Sequence, residues 1–175
     1  MPKRRIFISI DVPDELKNIA ENYLESFLFK KENWHITIVF CGYLNEEELA
    51  RLKESAKNIA LEIQSFELTP DKIIFAPPQR TPRMVWLTFK PSPEFLNLSK
   101  NFSEFSQEKR EQSPHLTLAR FKEEHYSNLK KFLPQDGVDL KNETKPFRIE
   151  SINIMESHLS PLGPKYNLLC RNYLK

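Results

Sequence analysis

Glycine is scarce in this chain: Gly42, Gly137 and Gly163 are the only three among 175 residues. No Gly-rich loop is available to cradle a phosphate, which sets aside Walker-type and Rossmann-type cofactor sites. Cysteine is scarcer still. Cys41 and Cys170 give neither a disulfide framework nor metal-ligand spacing, so no metal or other cofactor is expected and a reducing cytoplasm is the simplest home. Long apolar runs are missing as well. The stretch 6–10 meets Asp11 at once and is too short for a signal peptide or a membrane span, so no membrane partner is expected. Nor does one sign of charge dominate. With 26 Lys and Arg against 24 Asp and Glu, the net charge of +2 is too small for a nucleic-acid coat protein or a polybasic membrane binder, and any phosphate recognition must be local.

What remains is an ordinary globular composition, 39% hydrophobic and 29% charged. The length suits one domain or two small lobes sharing a cleft, with roughly 70% of the unfolded chain's surface open to burial.

Two short strings organise the rest: Trp34-His35-Ile36-Thr37-Ile38 and Pro114-His115-Leu116-Thr117-Leu118. In an extended strand the histidine and threonine of each share one face and the aliphatic residues take the other. A neutral imidazole exchanges protons near pH 7, and a hydroxyl roughly 6 to 7 Å along the strand can donate to an anionic oxygen. Alone, either string is a common buried strand with a hydrogen-bonded histidine. As a pair, the two histidines can divide acid and base duties on one phosphodiester.

Around them, 6–12 reads as a strand and the residues from Pro13 to Leu28 as a helix opened by proline. A strand over about 34–42 carries His35. Asn45 with Glu48 caps a second helix whose inner face is Leu49, Leu52, Ala56, Ile59, Ala60 and Ile63. Residues 66–74 form a strand, and the prolines at 77, 78 and 82 mark a crossover loop. In the second half, 84–89 is a strand, Pro93 opens a helix with Phe95, Leu98, Phe102 and Phe105, and His115 starts a further strand. A helix at 125–133, a polar loop at 135–145 and strands at 147–156 and 165–173 complete the pattern.

The halves are offset by eighty residues. His35 falls on His115, Thr37 on Thr117 and the helix-opening Pro13 on Pro93. Strand, helix, motif strand, helix, strand therefore occurs twice. The expected fold is α+β: a single domain spanning 1–175, bilobal and pseudo-twofold, with lobe-forming repeats at about 1–76 and 83–156 and a C-terminal strand at 165–173. Two small antiparallel-rich sheets would face a central cleft, with helices outside. His125 and His158 lack a partner threonine and are assigned to the surface or the scaffold.

The paired His-x-Thr strings in a duplicated chain resemble the two-histidine (2H) phosphoesterase superfamily, and more narrowly its RNA 2′,3′-cyclic phosphodiesterase, or 2′-5′ RNA ligase, group. The likeness runs through Arg5-Ile6-Phe7-Ile8-Ser9-Ile10-Asp11, from His35 to Leu44, from Phe75 to Phe89 with Arg83 and Trp86, and from His115 to Phe121. It ends in Met155-Glu156-Ser157, Ser160, Gly163 and Tyr166. His158 departs from it, standing where relatives often carry arginine. The resemblance implies both histidines in a central groove, no metal requirement, His35 as general acid (proton donor), His115 as general base (proton acceptor), and Thr37 and Thr117 on the phosphate oxygens.

It also implies a phosphate-binding basic position at Arg120, which is otherwise a solvated charge at a strand end. Under the eighty-residue shift the counterpart of Arg120 is Phe40, either core packing or a base contact. Trp34 and Tyr166 either stack a terminal base or pack beside the motif strand. Arg80, Arg83, Lys165 and Arg171 either line the groove or are simply solvated.

The expected function is metal-independent hydrolysis of RNA 2′,3′-cyclic phosphodiester ends to 2′-phosphomonoesters, with reversible 2′-5′ RNA ligation beside it. The expected partner is RNA with a 2′,3′-cyclic phosphate terminus, tRNA fragments included, and the expected state a monomer. Two alternatives stand beside it: a non-catalytic nucleotide- or RNA-binding module, and a phosphodiesterase of small nucleotides or ADP-ribose 1″,2″-cyclic phosphate.

Overall fold

A computed structural model describes residues 2–18, 33–78, 81–108, 113–131, 133–140, 144–160 and 163–175. Ten strands are found among them: β1 Arg4–Asp11, β2 His35–Leu44, β3 Phe66–Leu68, β4 Pro70–Ala76, β5 Met84–Phe89, β6 His115–Arg120, β7 Val138–Asp139, β8 Phe147–Ile149, β9 Ser151–Ser160 and β10 Gly163–Tyr173. Three helices are described along their whole length: α1 Glu46–Glu62, α2 Pro93–Asn101 and the short α3 Tyr126–Leu129. The chain turns helical over 14–18 behind Pro13, as expected; the remainder of that expected helix lies outside the described residues.

Eight strands form one antiparallel sheet in the order β10-β9-β1-β2-β6-β5-β4-β7. The α+β class agrees with the sequence. The two small sheets expected from the repeat are the two four-stranded halves of this sheet, joined by one bridging pair, Ile36 with Leu116. Those residues are equivalents under the eighty-residue shift, so the pseudo-twofold axis passes between them. The motif strands thus lie edge to edge, not across a cleft from each other.

Strands 66–74 and 147–156 each divide. Pro70 has no N–H to continue a ladder, and β3 turns away to pair with β8, Phe66 opposite Ile149 and Leu68 opposite Phe147. Beyond the breaks the repeats interlace: β4, from the first, pairs with β5, while β9, from the second, pairs with β1. Neither half of the sheet is built from one repeat alone.

One face of the sheet is the core. Alternation in β1, β2 and β6 turns Ile6, Ile8, Ile10, Ile36, Ile38, Leu116 and Leu118 inward, all essentially without solvent contact. They meet Leu49, Leu52, Ala56 and Ala60 of α1 and Phe95 and Leu98 of α2. α1 starts in a capping box: Asn45 accepts from the Glu48 amide at 2.9 Å, and Glu48 accepts from the Asn45 amide at 2.7 Å. The helix expected at 125–133 is shorter, a turn at Glu123–His125 running into α3. With the helices packed on one face, the opposite face of the central strands carries the remaining side chains.

Candidate functional site at the seam of the sheet

Along β2 and β6 the residues opposite in phase to Ile36 and Leu116 are His35, Thr37, His115 and Thr117. Carrying the Ile36 to Leu116 register one residue each way sets His35 abreast of Thr117 and Thr37 abreast of His115. Directly opposed side chains in an antiparallel pair lie roughly 5 Å apart at Cβ. The fold therefore gathers all four into one patch on the side of the seam away from the helices, with Thr37 buried and the other three half-buried.

Arg120 is three residues beyond Thr117, an odd spacing that would send it to the core face of a regular strand. A bulge reverses this. Trp86 pairs with Thr117 but Val85 with Ala119 and Met84 with Arg120, so Leu118 is an extra residue in β6 and Arg120 returns to the face of the histidines. The same irregularity occurs eighty residues earlier. Ser9 pairs with Thr37, Ile8 with Val39 and Phe7 with Phe40, which places Phe40 on the same face. Arginine and phenylalanine thus occupy matching corners of a site whose backbone is nearly symmetric. Phe40 is half-buried, its ring 6.3 Å from that of Phe7.

Both imidazoles are oriented alike. The Nδ1–H of His35 donates to the carbonyl of Asn33 at 2.8 Å, and that of His115 to the carbonyl of Ser113 at 3.0 Å. A carbonyl only accepts, so the Nδ1 nitrogen carries the hydrogen and Nε2 is the lone-pair nitrogen of each neutral ring. Asn33 is itself fixed, its side-chain amide donating to the Pro164 carbonyl at 3.2 Å.

The rings rest on different aromatics. His35 sits 4.8 Å from Phe7 and 5.0 Å from Tyr166, the latter edge-on at 87°. His115 stacks on Trp86 at 4.0 Å and 24°. Burial holds both histidines below the usual imidazole range, and the positive charge of Arg120 pushes each the same way. For His35 the proximity of His115 adds to the effect, while the Asn33 carbonyl and Asp11 oppose it. The Tyr166 hydroxyl is pushed up by burial against the opposing pull of Arg120 and Arg5. Cys41, buried and pushed up to about 12, is an inert core thiol.

Other candidates fall away from the patch. Trp34 is 4% exposed and packs in the core, which leaves no face for a base. Lys165 pairs in register with His158, whose ring lies 3.2 Å from Glu156, on the opposite side of the sheet from Tyr166. His125 is exposed beside Glu124 at 3.6 Å. Arg83 is exposed, Arg80 lies outside the described residues, and Arg171 is tied to Asp11 at 2.6 Å. Sequence reasoning missed Phe7 and Asp11 as neighbours of His35, although the run Arg5-Ile6-Phe7-Ile8-Ser9-Ile10-Asp11 alternates isoleucine with polar or aromatic residues, a period-two signal for two different faces. Among the described residues no group of three or more His, Cys, Asp or Glu could hold a metal ion.

Residues 6–86 match the family described as LigT like Phosphoesterase. A protein of Aeropyrum pernix named RNA 2′,3′-cyclic phosphodiesterase is 34% identical over 160 residues, with 87% of this chain and 88% of that protein covered. One of the same name from Methanocaldococcus jannaschii is 29% identical over 181 residues, covering 94% and 98%. The apo crystal structure of E. coli LigT superposes with a TM-score of 0.74 at 21% identity, covering 100% of this chain and 99% of that one, and so shares the fold. The chain belongs to the LigT-like phosphoesterase family.

Proposed function

We propose that this protein hydrolyses RNA 2′,3′-cyclic phosphodiester ends to 2′-phosphomonoesters, with His35 as proton donor and His115 as proton acceptor. The observation that carries the proposal is the matched pair of imidazoles at the seam. Each is locked through Nδ1 to the carbonyl two residues before it, each keeps Nε2 as its working nitrogen, and both lie on one face with Thr37, Thr117 and Arg120. The names of the curated relatives support the substrate class.

A 2′,3′-cyclic phosphate carries one negative charge. Nε2 of neutral His115 takes a proton from water, the hydroxide oxygen bonds to phosphorus, and the bond from phosphorus to the 3′ oxygen breaks. That oxygen takes the proton from Nε2 of protonated His35, leaving a 3′-hydroxyl and a 2′-phosphomonoester. Each proton transfer supplies about 10²- to 10⁴-fold. Thr37, Thr117 and Arg120 donate to the non-bridging oxygens, a preorganised electrostatic contribution of comparable size. Burial and Arg120 leave both histidines reluctant to ionise, so the anionic substrate itself brings the compensating charge that lets His35 hold its proton. Run forwards with a 5′-hydroxyl in place of water, the same steps make a 2′-5′ linkage and free the 3′-hydroxyl; run backwards, they cleave that linkage to the cyclic phosphate.

The substrate is an RNA fragment, tRNA fragments included, taken up by a monomer in the cytoplasm without a metal. Incubating the protein with an oligonucleotide ending in a 2′,3′-cyclic phosphate tests the reading directly. A 2′-phosphate product from wild type, absent with His35→Ala and His115→Ala, is expected. Substrate returned unchanged by wild type would make the protein a binding module, and turnover confined to mononucleotides or ADP-ribose 1″,2″-cyclic phosphate would move the substrate class.

A further inference from the structure

The near-symmetric site must assign opposite protonation states to two imidazoles whose backbone settings match, and the residues opposite them across the neighbouring strands do not match. In β1, Asp11 pairs with His35. In β5 the position opposite His115 is Thr88, whose hydroxyl donates to the Lys72 carbonyl at 3.1 Å. The Asp11 carboxylate is fixed in a row that crosses three strands: Asn153 of β9, only 1% exposed, donates from Nδ2 to Asp11 Oδ1 at 2.8 Å and accepts from Arg171 Nε at 3.0 Å. Arg171 of β10 closes the row with Nη2 on Asp11 Oδ2 at 2.6 Å.

We propose that Asp11, held by Asn153 and Arg171, is the positioning residue that makes His35 rather than His115 the proton donor. The assignment rests on the two-histidine reading above. In the strand order, Asp11 stands between Arg171 and His35, so His35 meets the ion pair by its negative end. His35 is already bonded through Nδ1 to the Asn33 carbonyl, so the carboxylate acts on the imidazolium through space and not by taking a ring proton. Among the described residues Asp11 is the one acidic group acting on His35. Against it stand His115 and Arg120 from β6, and Tyr166 of β10 packs on the ring as a neutral phenol. Around His115, among the described residues, the charged neighbour is Arg120, with Trp86 stacked on the ring and Thr88, not a carboxylate, opposite it. The Asp11 side chain is 61% exposed, so solvent weakens but does not cancel the effect.

The test is an NMR titration of the two imidazoles in the wild type, Asp11→Asn and Thr88→Asp, alongside the pH profile of kcat/KM on a cyclic-phosphate oligonucleotide. In the wild type His35 should be the more readily protonated ring. In Asp11→Asn its titration should move to lower pH while that of His115 stays, and the alkaline limb of the pH profile should move with it, by about tenfold in rate for each unit. Thr88→Asp should raise His115 instead and narrow the bell. A wild type inactive on cyclic phosphates would overturn the enzymatic reading while the titrations still judge Asp11. Unchanged titrations in Asp11→Asn, with only a lower melting temperature, would show that the row merely ties strands together and would overturn this proposal. If Asp11→Asn fails to fold, Thr88→Asp decides alone: His115 unmoved by a carboxylate opposite it sinks the idea.

Discussion

The indole of Trp86 lies nearly flat on the imidazole of His115, 4.0 Å between centroids, while His35 meets Phe7 and Tyr166 at an angle. A stacked indole holds the His115 ring in plane and favours its protonated form, the state through which the proposed proton acceptor passes.

Replacing Trp86 with leucine should therefore lower kcat on a cyclic-phosphate oligonucleotide by roughly tenfold, about 1.4 kcal/mol of barrier, within the range of an aromatic pair. KM should change little. Steady-state kinetics read both, and a change in KM alone would place Trp86 in substrate binding.

His35→Ala and His115→Ala should each cost about 10²- to 10⁴-fold in kcat/KM. Groups that serve one displacement act as a unit, so the double variant should lose little more than the worse single. Multiplying losses would mean that the two rings work independently.

Stability should carry the signature of the lowered histidines. The unfolded chain takes up protons as the pH falls through about 6.5, while the folded chain, holding both rings below that value, resists. The unfolded state then binds more protons, and stability falls from that pH down to the folded-state values. The urea midpoint should be lower at about pH 5.5 than at about pH 7.5, and the difference should shrink in the His35→Gln, His115→Gln double variant.

Position at the seam should separate stability from rate. Ile36 and Leu52 are both fully buried, and truncating either to alanine should cost about 2–5 kcal/mol in urea unfolding. Ile36→Ala should also depress kcat under native conditions because it loosens the one pair joining the motif strands. Leu52→Ala, in α1, should leave kcat near wild type.

Excess chelator should leave the activity intact, since the proposed proton transfers are carried by His35 and His115. Loss of turnover restored by a divalent ion would require a different mechanism.

The site histidines and threonines were legible because period-two alternation forces His35 with Thr37, and His115 with Thr117, onto one face whatever the tertiary fold. The helix-covered face was equally legible from its isoleucines and leucines. The sheet's continuity was not. Local pattern says nothing about whether two strands eighty residues apart pair at their edges, nor that β4 and β9 change partners. Arg120 shows a second limit: alternation alone would turn it inward, and the bulge at Leu118 that returns it has no marker such as glycine in the sequence. Asp11 lay in plain sight at the end of an alternating strand, but its role depends on Asn153 and Arg171, more than 140 residues away in the chain.

The traded strands β4 and β9 have a consequence for what half of this molecule would be worth. A polypeptide containing one repeat would own a single one of the two seam imidazoles and an open sheet edge where its missing neighbour belongs. It could fill that gap only by borrowing a strand from a twin, and in the same act would acquire the second imidazole. The fused chain is in this sense a strand-exchanged pair made permanent. Severing it within 77–83 should yield fragments that are inert apart and recover turnover only when mixed.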